Sequence, residues 1–210
     1  MSNLLLNKSS FIHIPKCAGT FLQAFLFHLK LPSHRYSQPQ DGHLFLHQMT
    51  ESKDTYNFCF VRHPYTWWPS FYEWSKTTRF SDAEKESPNF DTWIKDYGAF
   101  WMGHYSKLVS RYIGDDEFYK TDVKMNFVGK TENLYEDLFT ALTNAGEVFD
   151  EKQFRNLANV ENQKESLTKW SNKQEYDRNI SEESKDIIYH TERYIFDKFD
   201  YNQKCITRLE

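Results

Sequence analysis

Lys16, Gly19 and Thr20 stand together in Ser10-Phe-Ile-His-Ile-Pro-Lys-Cys-Ala-Gly-Thr-Phe-Leu-Gln23, between an apolar run that ends at Pro15 and a helical pattern carried by Leu22, Phe25, Leu26 and Leu29. A lysine in a short loop that opens a helix is suited to an anion. The first N–H groups of a helix have no acceptor within it and lie at the positive end of its dipole, so phosphate is held there without further charge. Lys16 adds a mobile cation, Thr20 a hydroxyl, and Gly19 lets the backbone come close to a ligand. The order of residues excludes a Walker A loop, in which the lysine follows the last glycine, and so disfavours an ordinary kinase or GTPase. Taken alone, the segment also fits a plain strand-to-helix connection.

A second segment has the same design. In Asn57-Phe-Cys-Phe-Val-Arg-His-Pro-Tyr-Thr-Trp-Trp-Pro-Ser-Phe-Tyr-Glu-Trp74, the apolar run Phe58 to Val61 delivers Arg62 at its carboxyl end, and a helix starts near Pro64. The guanidinium fork makes paired, charge-assisted bonds to phosphate, and Ser70 offers a hydroxyl to the same group. Ligands of open α/β sheets bind beyond the carboxyl ends of strands, so Arg62 and the Lys16 loop are expected to face one crevice. The alternative for Arg62 alone is a strand-end surface ion pair.

In these residues the chain resembles the sulfotransferases that use 3′-phosphoadenosine 5′-phosphosulfate (PAPS), and within them the carbohydrate or family-2-like branch. Ile14-Pro15-Lys16-Cys17-Ala18-Gly19-Thr20 is similar to that family's 5′-phosphosulfate loop, and Val61-Arg62-His63-Pro64 with Ser70 to its 3′-phosphate motif. Looser likenesses are Phe127-Val-Gly-Lys-Thr-Glu-Asn-Leu134 with Glu136-Asp137-Leu138, and the closing stretch Glu192 to Tyr201. The resemblance implies an α/β fold of P-loop nucleotide-kinase-like type, with a mainly parallel central sheet flanked by helices. It implies a donor, PAPS, held by Lys16, Cys17, Ala18, Gly19, Thr20, Arg62 and Ser70, and no metal. A late loop that covers the nucleotide in relatives points to Asn162 and Lys164. His63, Thr66 and Trp67 replace the Asn and the Asp-Arg pair that relatives often carry, so contacts of that missing arginine do not transfer.

Moving a sulfuryl group to a hydroxyl calls for a base, for donors on the transferring oxygens, and for charge to meet the leaving phosphate. Lys16 suits the leaving oxygens. Histidine titrates nearest neutrality, and His43, in Gln40-Asp-Gly-His-Leu-Phe-Leu-His47, resembles the Gly-His element that relatives carry between the two phosphate motifs. It is taken as the base, with His47, Asp41 and Glu73 as alternatives. His13 reads as a core or sheet-end residue; His63 either lines the site or caps the turn before Pro64. A carbohydrate or other small molecule is the expected acceptor. Two other classes keep the same cradle: a nucleotide-binding protein without turnover, and a small-molecule kinase.

These motifs need a scaffold. With 210 residues and 39% hydrophobic content the chain suits one α/β domain, residues 1–210. Strands are expected at Phe11 to Ile14, Phe58 to Val61 and Met125 to Val128, each followed by a helix, in a predominantly parallel sheet. Trp67, Trp68, Phe71, Tyr72 and Trp74 recur at helical spacing and read as core. Thr77 to Pro88 reads as a loop, Phe90 to Ile113 as helices, Glu151 to Arg178 as a solvated connector, and Ser181 as the cap of a last helix. A net charge of −4 with no basic block argues against nucleic acid. Three unpatterned cysteines give no disulfide or zinc framework and suit a reducing cytoplasm. No apolar run approaches the roughly 20 residues of a membrane span.

Overall fold

The computed structural model describes residues 3–31, 34–35, 44–49, 53–78, 87–97, 103–159 and 180–203. The chain divides into two compact units, one of residues 1–61 and 109–173 and the other of residues 62–108 and 174–210.

The first unit holds the sheet. Its described strands are β1 (Leu4–Leu5), β2 (Ser9–Ile12), β3 (His34–Arg35), β4 (Tyr56–Val61) and β5 (Phe127–Lys130), in the order β3-β1-β2-β4-β5. The three apolar runs of the sequence form β2, β4 and β5, which pair in parallel with Ile12 opposite Cys59 and Phe60 opposite Gly129. Every residue of β2, and of β4 from Asn57 onward, is buried, as befits strands covered on both faces. The sheet is nevertheless mixed and not mainly parallel. β1 pairs antiparallel with both β2 and β3, so parallel and antiparallel pairings are equal in number. Two-residue strands are too short to show alternation, and the tight return from β1 into β2, closed by Leu6 N–H on the Ser9 carbonyl, imposes the reversed direction.

Helices α1 (Gly19–His28), α5 (Leu134–Asn144) and α6 (Glu151–Ala158) join through aromatic rings: Phe25 lies 5.7 Å from Tyr135 and 5.1 Å from Phe154, and Phe154 lies 5.3 Å from Phe139. The start of the expected connector is therefore a helix. Asp150 caps it by accepting the Gln153 N–H, and Phe154 gives it a buried anchor.

The second unit is helical: α2 (Pro64–Thr78), α3 (Phe90–Tyr97), the first residues of α4 (His104–Ile113), α7 (Glu182–Thr191) and α8 (Arg193–Lys198). Its core is aromatic. Trp67 is stacked between Phe71 at 5.0 Å and Tyr105 at 4.4 Å, while Trp93 meets Trp68 and Tyr72. Trp67, Trp68, Phe71 and Tyr72 are buried as read from their spacing, whereas Trp74 is half-exposed. Ser181 caps α7 as expected, accepting the Ser184 N–H. The closing segment forms two helices instead of one because Glu192, fully buried, turns inward and accepts from Tyr105 N–H (3.2 Å), Ser106 N–H (2.7 Å) and the Ser106 hydroxyl (2.5 Å). Those amides belong to the first turn of α4, so Glu192 caps that helix from a distance.

Candidate functional site

After β2 the chain makes a tight turn. Cys17 N–H donates to the Ile14 carbonyl at 3.2 Å, with Pro15 and Lys16 between them. Proline at the second position of a turn and a positive φ at the third (Lys16, φ 65°) are the marks of a type II turn, here with lysine where glycine is usual. Ala18, the residue before α1, is also left-handed at φ 60°. The two left-handed residues lead straight into a helix N-terminus, where the first backbone N–H groups are suited to an anion. Among the described residues no acceptor meets the N–H groups of Ala18 and Gly19. Cys17 differs: its amide closes the turn and its side chain is buried.

Gly19 is needed for space. A Cβ there would fall 1.8 Å from two atoms of the His13 ring. His13 is buried, in line with its reading as a sheet-end residue, and its imidazole forms the floor beside the first helical residue. Burial pushes the thiol of Cys59, on the neighbouring strand, well above the usual range, with the nearby Cys17 adding to the effect; both are free thiols. Such cysteines are inert packing groups.

After β4 comes Arg62, in the second unit. Its backbone is clamped by one hydroxyl: Tyr105 Oη accepts from Arg62 N–H at 2.7 Å and donates to the Arg62 carbonyl at 2.9 Å. Its Nε donates to Thr66 Oγ1 at 3.1 Å, and that hydroxyl donates to the His63 carbonyl. Arg62, Thr66 and Ser70 are partly accessible, while His63 to Tyr65 and Trp67 to Pro69 are buried. The three polar residues thus line one stripe at the i, i+4 spacing of a helix. Thr66 is the residue that sequence reasoning passed over, as a mere departure from the relatives; its i+4 position from Arg62 was the signal.

His63 caps α2. Its Nδ1 accepts the Tyr65 N–H at 3.2 Å, so the proton sits on Nε2, which donates to the Asn202 carbonyl at 3.0 Å. His47, the alternative base, follows Phe45 in a short 3₁₀ turn (Leu46–Gln48) and is stacked between Phe45 at 5.9 Å and Tyr119 at 4.8 Å. Glu73, the alternative carboxylate, is paired with Lys76 at 3.2 Å. His43, Asp41, Asn162, Lys164 and Cys205 lie outside the described residues.

The looser third motif has a packing explanation. A Cβ on Gly129 would lie 2.6 Å from the Phe60 ring, and Asp137 accepts the Lys130 N–H at 2.6 Å, fastening β5 to α5. Among the described residues no cluster of His, Cys, Asp or Glu is arranged to hold a metal, and no helix is long and apolar enough to cross a membrane. No protein-family model matches the chain, and neither a curated protein nor a solved structure matches it.

Proposed function

We propose that the protein is a PAPS-dependent sulfotransferase of P-loop nucleotide-kinase-like fold, moving a sulfuryl group to a hydroxyl of a carbohydrate or other small molecule. The observation that carries this reading is the pair of left-handed residues, Lys16 and Ala18, that turns the loop after β2 directly into the N-terminus of α1. That geometry falls on the very residues whose sequence resembles a 5′-phosphosulfate loop. Lys16 and the N–H groups from Ala18 to Thr20 would take the 5′-phosphosulfate; the Cys17 amide, closing the turn, supports the loop from behind. Arg62, aligned through Thr66, and Ser70 would take the 3′-phosphate.

In the reaction the acceptor oxygen attacks sulfur as its proton passes to His43. The sulfur–oxygen bond to the 5′-phosphate breaks, and 3′,5′-adenosine bisphosphate (PAP) leaves with its new charge met by Lys16 and the helix N-terminus. Positioning and electrostatics supply the catalysis, and no metal is called for. The free thiols of Cys17 and Cys59 suit a reducing, cytoplasmic setting. The test is incubation with PAPS labelled on sulfur and a panel of sugar, phenol and alcohol acceptors. Acceptor-dependent release of PAP in equal amount to sulfated product is expected; release from no acceptor in the panel contradicts the proposal.

A further inference from the structure

We infer that Tyr105 is a positioning residue for the 3′-phosphate, its buried hydroxyl fixing the backbone of Arg62 and through it the place of the guanidinium; the inference rests on the sulfotransferase reading above. Arg62 stands between two elements, since β4 ends at Val61 and α2 starts at Pro64. Its amide and carbonyl therefore lie beyond the strand and ahead of the helix, where the amides of Thr66 and Trp67 go to the His63 carbonyl. Tyr105, in the first turn of α4, meets both groups: its hydroxyl accepts from the Arg62 N–H at 2.7 Å and donates to the Arg62 carbonyl at 2.9 Å. A hydroxyl can do both because it carries one hydrogen and two lone pairs.

The hydroxyl is itself held in place. Tyr105 is fully buried, its ring lies 4.4 Å from that of Trp67 with the planes 13° apart, and its own N–H donates to the Glu192 carboxylate at 3.2 Å. Arg62 is thus gripped at two levels, its main chain by Tyr105 and its Nε by Thr66 Oγ1 at 3.1 Å. An arginine loses rotamer freedom when it pairs with phosphate, and its fork bonds in pairs only when its plane is correctly turned. Fixing the backbone and Nε beforehand removes part of that cost and sets the plane. Thr66 and Ser70 ride on α2 itself; Arg62, ahead of that helix, takes its support from α4.

Calorimetric titration with PAP tests the inference. Tyr105→Phe keeps the ring against Trp67 and removes only the hydroxyl, and should weaken PAP binding roughly five- to twentyfold, less than loss of the whole guanidinium in Arg62→Ala. In an Arg62→Ala background the same change should alter PAP affinity by less than about twofold, because the hydroxyl acts through that guanidinium. Tyr72→Phe is the control: it removes another buried phenol bond of the same unit, from Tyr72 Oη to the Ser87 carbonyl at 3.2 Å, and should leave PAP affinity within about twofold. Unchanged PAP affinity in Tyr105→Phe, losses that add in the double variant, or an equal loss in Tyr72→Phe would overturn the inference. Tyr105→Leu is read in the same way if Tyr105→Phe does not fold; failure of both to fold also overturns it, because the residue then serves the fold alone. Absence of PAP binding in the unaltered protein is a separate result, which removes the sulfotransferase reading and the inference with it.

Discussion

The imidazole of His13 occupies the space that a side chain at residue 19 would need, with its Cδ2 and Nε2 atoms 1.8 Å from where a Cβ on Gly19 would stand. Rings do not compress, so Gly19→Ala must push His13 or the start of α1 aside. We expect a loss of about 3 kcal/mol, at the upper end for overpacking, which for a chain of this size lowers Tm by roughly 6–12 °C. His13→Ala opens the space, and the double variant should regain part of the loss. Thermal unfolding of the three variants checks this; additive losses would mean that the two residues do not compete for one volume.

Lys16 joins backbone strain to a charge, and the two separate by substitution. Its left-handed conformation disfavours any residue with a Cβ, so Lys16→Gly relieves strain while removing the cation. Stability should remain within about 1 kcal/mol of the unaltered protein, because glycine also loosens the unfolded chain. Turnover should nevertheless fall by orders of magnitude, as in Lys16→Ala. Urea unfolding beside an activity assay reads both effects.

Arg62, just before α2, pairs with Thr66 in its first turn. Removing the guanidinium in Arg62→Ala should weaken PAP binding by roughly 1.5–3 kcal/mol, the magnitude for a lost charged hydrogen-bond pair. Thr66→Val leaves the charge and frees the Nε, and should cost less. Neither change should affect 5′-AMP, which has no 3′-phosphate. Calorimetry with both nucleotides decides the matter, and equal weakening for 5′-AMP would remove Arg62 from the 3′-phosphate.

The buried carboxyl of Glu192 makes the second unit sensitive to pH. Burial pushes its pKa up from 4.5 to about 7, although the hydroxyl and amide of Ser106 and the amide of Tyr105 pull in the opposite direction. A raised carboxylate pKa means that the folded state holds the proton more tightly than the unfolded one. The associated stability is complete below pH 4.5 and is lost as pH climbs through about 7. The loss amounts to at most about 3 kcal/mol. Glu192→Gln keeps one acceptor oxygen, so either the Tyr105 or the Ser106 amide loses its bond and overall stability falls, but with no group left to titrate it should flatten the profile. Urea unfolding between pH 5 and pH 8 tests it; an unaltered slope in the glutamine variant would exclude Glu192 as its source.

How much of this was legible in the sequence depended on whether the signal was local. β2, β4 and β5 were marked by apolar runs, α2 by Pro64 and α7 by Ser181, each a local preference that the fold respects. β2 ends two residues earlier than expected because the Ile14 carbonyl is engaged by Cys17, a turn that Pro15 announces. What was hidden came from partners distant in sequence. Nothing local marks Leu4 and Leu5 as a strand that reverses the sheet's direction, or Glu192 as the cap of a helix begun at His104. The sequence marks the loop before α1 by Gly19, yet the left-handed backbone falls on Lys16 and Ala18, while Gly19 is required by the ring of His13, just past β2.

The central claim is that the cradle holds a nucleotide carrying both a 5′- and a 3′-phosphate. Calorimetric titration with PAP, beside 5′-AMP and ATP, each with and without magnesium, tests it most directly. The account predicts tight binding of PAP that does not depend on magnesium and is lost when the 3′-phosphate is absent. Binding of ATP alone, in a magnesium-dependent manner, or of none of the three, would contradict it.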